Sequence, residues 1–402
     1  MSLDLHKVAS QVESVASDLS NSQATWSAKL KIAVDSLVTA NPRLIEQKRR
    51  NSRSTFLTAG IDDSIGQKHP STGFPTDYTV LAVDGSHIDV DRHLALKCYL
   101  INLGTVRIRY GNNPYAVLSN EPRLYSAEEE MYLPQSEGNR TQILEGNLLG
   151  AFRAVEEMNA ISLLADQTDP NVPTLALIDG SLILWSLIGQ GYPDFVRGKL
   201  IEEIFLPAMD KLRKMALSQS LVVASYISLP RSSDLVNALR LDERYCHYNS
   251  ANCDINCGHL KLGLRPCDNL TGITDRDIFD SLLEPGQRSD TFASTSSVVR
   301  NYYGENQIHF FYLNNGSEIS RIEIPSWVAR DNLMLDLTHA IVLNQCDKGH
   351  GYPLALAEAH EQAVITTSDR EQFRILVGNA LSRNNLHNDT SQKNLSKRLK
   401  WL

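Results

Sequence analysis

Apolar positions recur at helical spacing through the first fifty residues: Leu5, Val8, Val12, Val15 and Leu19, then Trp26, Leu30, Ile32, Ala33 and Leu37. That spacing predicts two amphipathic helices. Residues 60–75, polar and rich in Gly, Ser and Pro, read as a loop. Short apolar runs follow. Residues 78–84 read as a strand, and 94–103 and 105–110 as two more, with Gly104 as the tight turn between them; together they make a meander of three. Leu144, Leu148, Phe152, Val155 and Leu163 mark the inner side of a helix over 140–165. A strand at 175–178, a helix over 195–218 and an apolar strand at 221–227 come next. Residues 308–313 and 318–324 read as a hairpin across Asn314-Asn315-Gly316. Helices are expected at 327–346, 354–364 and 369–382.

Residues 243–300 break this rhythm. They are polar, weakly periodic and hold four of the six Cys. The expected organisation is a helical segment over 1–70, a main domain over 71–383 carrying 243–300 as an insertion, and a polar tail over 384–402. With 402 residues, 42% hydrophobic and 21% charged, the chain can bury a sizeable core. No apolar stretch approaches the roughly 18–20 residues of a membrane span. The start, Met1-Ser2-Leu3-Asp4-Leu5-His6, lacks the basic and apolar regions of a secretion signal. A cytoplasmic protein with reduced thiols is expected. The net charge of -8 speaks against a surface-wide nucleic-acid binder but leaves room for a local basic groove.

Two of the strands end alike, in Val83-Asp84-Gly85-Ser86 and Ile178-Asp179-Gly180-Ser181. A lone Asp-Gly after a strand is ordinarily a turn, the Gly letting the backbone bend. Two of them on buried strands, with an acidic helix between, predict a shared divalent-cation site of the kind metal-dependent phosphodiesterases use. The element order (strand, strand, strand, helix, strand, helix, strand) predicts a ribonuclease-H-like α/β fold: a mixed sheet flanked by helices. The acids then fall on Asp84, on Glu156 or Glu157, and on Asp179. Adjacent helical positions point about 100° apart, so only one of the two Glu faces the strands; Glu157 is preferred.

A second distinctive run is Gly351-Tyr352-Pro353-Leu354-Ala355-Leu356-Ala357-Glu358-Ala359-His360. Pro353 suits a first helical turn. His360 is a core histidine, or a metal ligand or proton donor near the leaving group. His360-Glu361 opens no zinc-protease motif, because Val364 occupies the second His position. Taken with the helical segment from Arg153 to Glu157 and with Tyr226, Arg231 and Ser232, these pieces resemble the NurA nuclease family over residues 78–375. The resemblance implies a ribonuclease-H-like DNA nuclease, manganese-dependent (magnesium as the alternative), with single-strand endonuclease and 5′-to-3′ exonuclease activity. It implies a homodimer acting in double-strand-break end resection beside a HerA-like hexameric ATPase or helicase. It also implies metal ligation by Asp84, Glu157, Asp179 and His360, with Tyr352 completing the site. Arg231 stands in for a Lys that would grip phosphate.

Cys246, Cys253, Cys257, His259 and Cys267 fit no regular zinc knuckle, and their soft ligands suit zinc or an iron–sulfur cluster. No phosphate-binding Gly-x-x-x-x-Gly-Lys-Ser/Thr loop occurs, so any ATP would be hydrolysed by a partner. Two rival readings are a phosphotransferase of the actin and sugar-kinase kind, which would lack the helical acid, and a catalytically silent dimeric adaptor for a DNA translocase.

Overall fold

In a computed structural model of the chain, which describes residues 4–90, 96–135, 139–188, 191–261 and 263–386, the run from Tyr78 to Val83 is buried at every position. A strand buried on both faces needs cover from two sides, and the surrounding elements supply it. Strand β1 (Tyr78–Ile88) pairs antiparallel with β2 (Tyr99–Tyr110), and β2 with β3 (Tyr115–Tyr125). Helix α1 (Asn147–Ala165) leads to β4 (Thr174–Asp179), which lies parallel to β1. Helix α2 (Leu206–Ala216) leads to β5 (Leu221–Ile227), parallel to β4. The spatial order β3-β2-β1-β4-β5 is the ribonuclease-H-like arrangement expected from the order of elements. Leu148, Leu149, Val155, Met158 and Ile161 of α1 share a buried core with Leu81 and Val83 of β1. Helices α3 (Asn332–Lys348) and α4 (Leu354–Ala363) follow, then a further helix over Thr367–Arg383, and α4 packs on β1 and β2.

The meander differs from expectation in an informative way. Gly104 is no turn. It sits in the middle of β2, directly opposite Asp84, and a Cβ there would lie 2.2 Å from the Ala359 carbonyl oxygen and 2.5 Å from the Ala363 nitrogen. The glycine lets α4 cross β2 backbone against backbone. The turn lies at residues 111–114, and the third strand is β3, which is exposed along most of its length and therefore carries no apolar alternation to betray it. Helix α1 starts at Asn147, because Thr141–Ile143 is taken up as a short strand pairing Tyr132–Pro134. Leu94 and Ala95, and residues 387–402 of the expected tail, lie outside the described residues.

These elements belong to one compact unit, residues 72–227, 297–308 and 323–402. A second unit gathers residues 1–71, 228–296 and 309–322. Its first helix runs unbroken over Leu5–Thr39 where two were expected, and Asn41 caps the next one, Pro42–Arg50, by accepting the Leu44 N–H at 3.3 Å. Ala33 and Leu37 of the long helix enter a core with Phe279, Phe292, Phe310 and Tyr312. The Phe279 and Tyr312 rings stack at 4.8 Å. No described helix is long and apolar enough to cross a membrane.

Candidate active site

β1 continues past Asp84 to Ile88, so Gly85 is a strand residue here and not a bend. Alternation along the strand sets Asp84 and Gly85 on opposite faces. Asp84 shares its face with Gly104 and so with α4; Gly85 faces α1. A Cβ on Gly85 would stand 2.6 Å from Glu157 Oε1 and 3.0 Å from Arg153 Cγ. The missing side chain is the gap through which Glu157 reaches the strand ends from below. The second Asp-Gly does turn: Gly180 has φ 83°, and its N–H donates to the Tyr226 carbonyl at 3.0 Å. Because Val83 pairs with Ile178 in parallel register, the two aspartates leave neighbouring strands side by side.

Glu157 is 6% exposed. Burial pushes its carboxyl up to about 8; Arg153 opposes this, and Asp84 and Asp179 add to it. Arg153 Nε lies 3.3 Å from Oε1, but that oxygen has no hydrogen-bond partner. Arg153 also donates to the Gly85 carbonyl, which ties α1 to β1. Glu156 turns away: burial raises it too, and the charge that opposes the rise is Arg123, on β3. The helix thus presents Glu157, and not Glu156, to the aspartates.

Asp179 is the exposed residue of β4, yet the atoms packed around its carboxyl still raise it above the usual aspartate range. The Tyr352 hydroxyl hydrogen-bonds it and pulls the other way, while Asp84 pushes it further up. Tyr352 is held edge-on against the fully buried Tyr226, ring centroids 5.4 Å apart and planes at 89°. Asp84 accepts the Gly85 N–H at 2.7 Å through Oδ1 and shares a 2.8 Å hydrogen bond with His360 Nδ1 through Oδ2. His360 is 63% exposed, so it is not a core histidine. Ala355, Leu356, Ala359 and Ala363 form the buried side of α4 and leave His360 at the rim.

The five residues singled out from the sequence (Asp84, Glu157, Asp179, Tyr352 and His360) thus stand in one electrostatically coupled group. Arg231 belongs to the other unit. Among the described residues no three His, Cys, Asp or Glu side chains close into a ready cation cage; Arg153 and His360 each engage a carboxylate instead. The donor set nevertheless suits a hard divalent cation: carboxylate oxygens, one of them buried without a hydrogen bond, beside an imidazole.

Three supporting residues escaped the sequence. Asn102 donates to the Gln362 and Ala363 carbonyls at 3.1 and 2.9 Å, closing the C-terminal end of α4. Glu323, 1% exposed, accepts the Ser181 hydroxyl at 2.7 Å and the Leu182 N–H at 2.9 Å, fixing the loop after Asp179. Gly104 seats the whole helix. Only Arg153, four residues before Glu157 on one helix face, had a readable signal. A family model described as the NurA domain matches residues 78–365, from the first residue of β1 to just beyond α4. No curated protein matches the chain.

Proposed function

The chain belongs to the NurA family, and from that premise we propose that it is a manganese-dependent DNA nuclease whose active centre is Asp84, Glu157, Asp179, Tyr352 and His360. The family assignment makes it a nuclease-type protein of DNA repair. The observation that carries the finer reading is the meeting of three carboxylates from α1, β1 and β4, with Glu157 buried and one of its oxygens without a hydrogen bond. Structural acids rarely stay buried and unsatisfied without a task. A buried acid on the first long helix is also what the sugar-kinase reading lacks.

Asp84, Glu157, Asp179 and His360 would hold the cation. When bound, it supplies activation of water and charge stabilisation at the scissile phosphate. The chain's own residues prepare the site. The Tyr352 hydroxyl orients Asp179, and the Tyr226 ring fixes Tyr352. His360 orients Asp84 through Nδ1, which leaves Nε2 for the cation or the leaving oxygen. Arg153 holds Glu157 against Gly85. Since burial favours the protonated form of Glu157, cation uptake releases a proton, and metal affinity rises with pH.

The same reading extends to single-strand endonuclease and 5′-to-3′ exonuclease action in end resection, as a homodimer beside a HerA-like ATPase. Such a partner would supply the nucleotide hydrolysis for which this chain carries no Gly-x-x-x-x-Gly-Lys-Ser/Thr loop. The test is cleavage of single-stranded and duplex DNA labelled at either end, with manganese, magnesium or chelator. The expected result is manganese-dependent cutting that Asp179→Asn abolishes. Intact DNA after long incubation with manganese would overturn the nuclease reading. Recovery of no translocase-type ATPase with the tagged chain from its host would overturn the partnership.

A further inference from the structure

Four of the six cysteines come together in a part of the chain that the family match does not explain by chemistry. Cys253 and Cys257 lie one turn apart on the short helix Cys253–Cys257; Cys246 precedes it and Cys267 follows in the turn Pro266–Leu270. All four thiols are free, and all four line one cavity of about 290 Å³. They also feel one another: Cys257 is raised by burial and then by Cys267, Cys253 and Cys246. Two cations attend them. Arg240 donates to Cys267 Sγ at 3.4 Å while its guanidinium stacks 4.3 Å over the Phe56 ring, and Arg265 stands on the same wall. His247, and not His259, supplies the imidazole of the cavity lining.

We propose that this cavity holds an iron–sulfur cluster ligated by the thiolates of Cys246, Cys253, Cys257 and Cys267. All four cysteines belong to the second unit, and a cluster there does not depend on the nuclease reading. Four converging free thiols without a disulfide are a soft-metal donor set. Zinc would need its sulfurs crowded around one ion at about 2.3 Å each. Here all four line one cavity of about 290 Å³, more room than a single ion needs. Cβ atoms one helical turn apart are about 5–6 Å from each other, so Cys253 and Cys257 face the cavity together. On assembly each thiol releases its proton to solvent as its Sγ–Fe bond forms, with iron and inorganic sulfide supplied from solution. Arg240 and Arg265 then offset the thiolate charge.

The test is metal and acid-labile sulfide analysis of the full chain purified without oxygen, and of the same chain reconstituted with ferrous iron and sulfide. Iron and sulfide in matching amounts, with the broad visible absorption of a cluster, are expected. Cys253→Ser together with Cys257→Ser should lose nearly all of both, while Cys98→Ala keeps them. Zinc without sulfide would overturn the cluster, as would the four cysteines recovered as disulfides, or no metal after reconstitution. Iron retained by the double variant would overturn the ligand assignment. Should that variant fail to fold, Cys267→Ser and the wild-type metal content still decide the question.

Discussion

Replacing Gly104 by Ala tests the positioning of the site without touching any of its polar groups. The new Cβ would sit 2.2 Å from the Ala359 carbonyl oxygen, 2.5 Å from the Ala363 nitrogen and 2.9 Å from the Gln362 carbonyl carbon. All three are backbone atoms of one helix, so no rotamer change relieves the clash. Ordinary contact lies near 3.4 Å, so α4 must retreat by roughly 1 Å, lifting Ala355, Leu356, Ala359 and Ala363 off the sheet as a unit. Overpacking of this kind costs about 1–3 kcal/mol. The 2.8 Å bond between His360 and Asp84 spans the same gap. A displacement of ~1 Å in a positioned group costs on the order of 10²-fold in rate. Thermal melts and DNA cleavage of Gly104→Ala should therefore show a lower Tm and a steep loss of turnover. Gly150→Ala is the control of opposite sign: nothing lies within 4 Å of its Cβ, and it sits inside α1. It should gain roughly 0.5–1 kcal/mol from helix propensity and cut normally. Wild-type melting and wild-type cleavage by Gly104→Ala would refute the argument that helix and strand touch through this glycine.

Further outcomes follow from the same geometry. In chelator, the wild type should lose stability as pH rises from about 4.5 to about 8, at up to roughly 1.4 kcal/mol per unit, because folding raises the Glu157 carboxyl and so opposes its ionisation. Glu157→Gln should flatten that slope in denaturant titrations across pH and abolish cleavage; Glu156→Gln should cut normally, and the reverse pattern would move the ligand by one residue. Asp84→Asn and Asp179→Asn should each be inactive with an unchanged circular dichroism spectrum, and full activity in either would exclude it from the site. Tyr352→Phe keeps the ring on Tyr226 but loses the bond to Asp179; a raised manganese requirement at little changed maximal rate is expected, and unchanged titration curves would count against an orienting hydroxyl.

The sequence displayed the acids of this site because strand ends and their apolar runs are local features: Val83-Asp84 and Ile178-Asp179 can each be read within five residues. The helical acid was narrowed to two with Glu157 preferred, and α1 turns Glu157 inward and Glu156 toward Arg123. What stayed hidden depends on residues distant in the chain. Gly104 looks like a turn unless one knows that α4 crosses it. β3 carries no pattern because neither face is covered. Asn102 and Glu323 are ordinary polar residues until their partners, Ala363 and Ser181, arrive. The joining of residues 1–71 with 228–296 is likewise a product of burial far apart in sequence.

The hydrogen bond between Asp84 and His360 joins positions 276 residues apart. Contacts of such separation carry a loop-closure cost that only a nearly finished fold repays. On a ribosome, β1 and β4 emerge long before α4 does. The acids would then be exposed early, but Asp84 would lack its orienting imidazole, and Asp179 its tyrosine, until α4 docks over Gly104. A nascent or truncated chain ending before residue 352 would carry Asp84, Glu157 and Asp179 without Tyr352 or His360. Helix α4 thus sets an order of maturation: the acids are made first, and the groups that orient them only once residues 352–360 have left the ribosome.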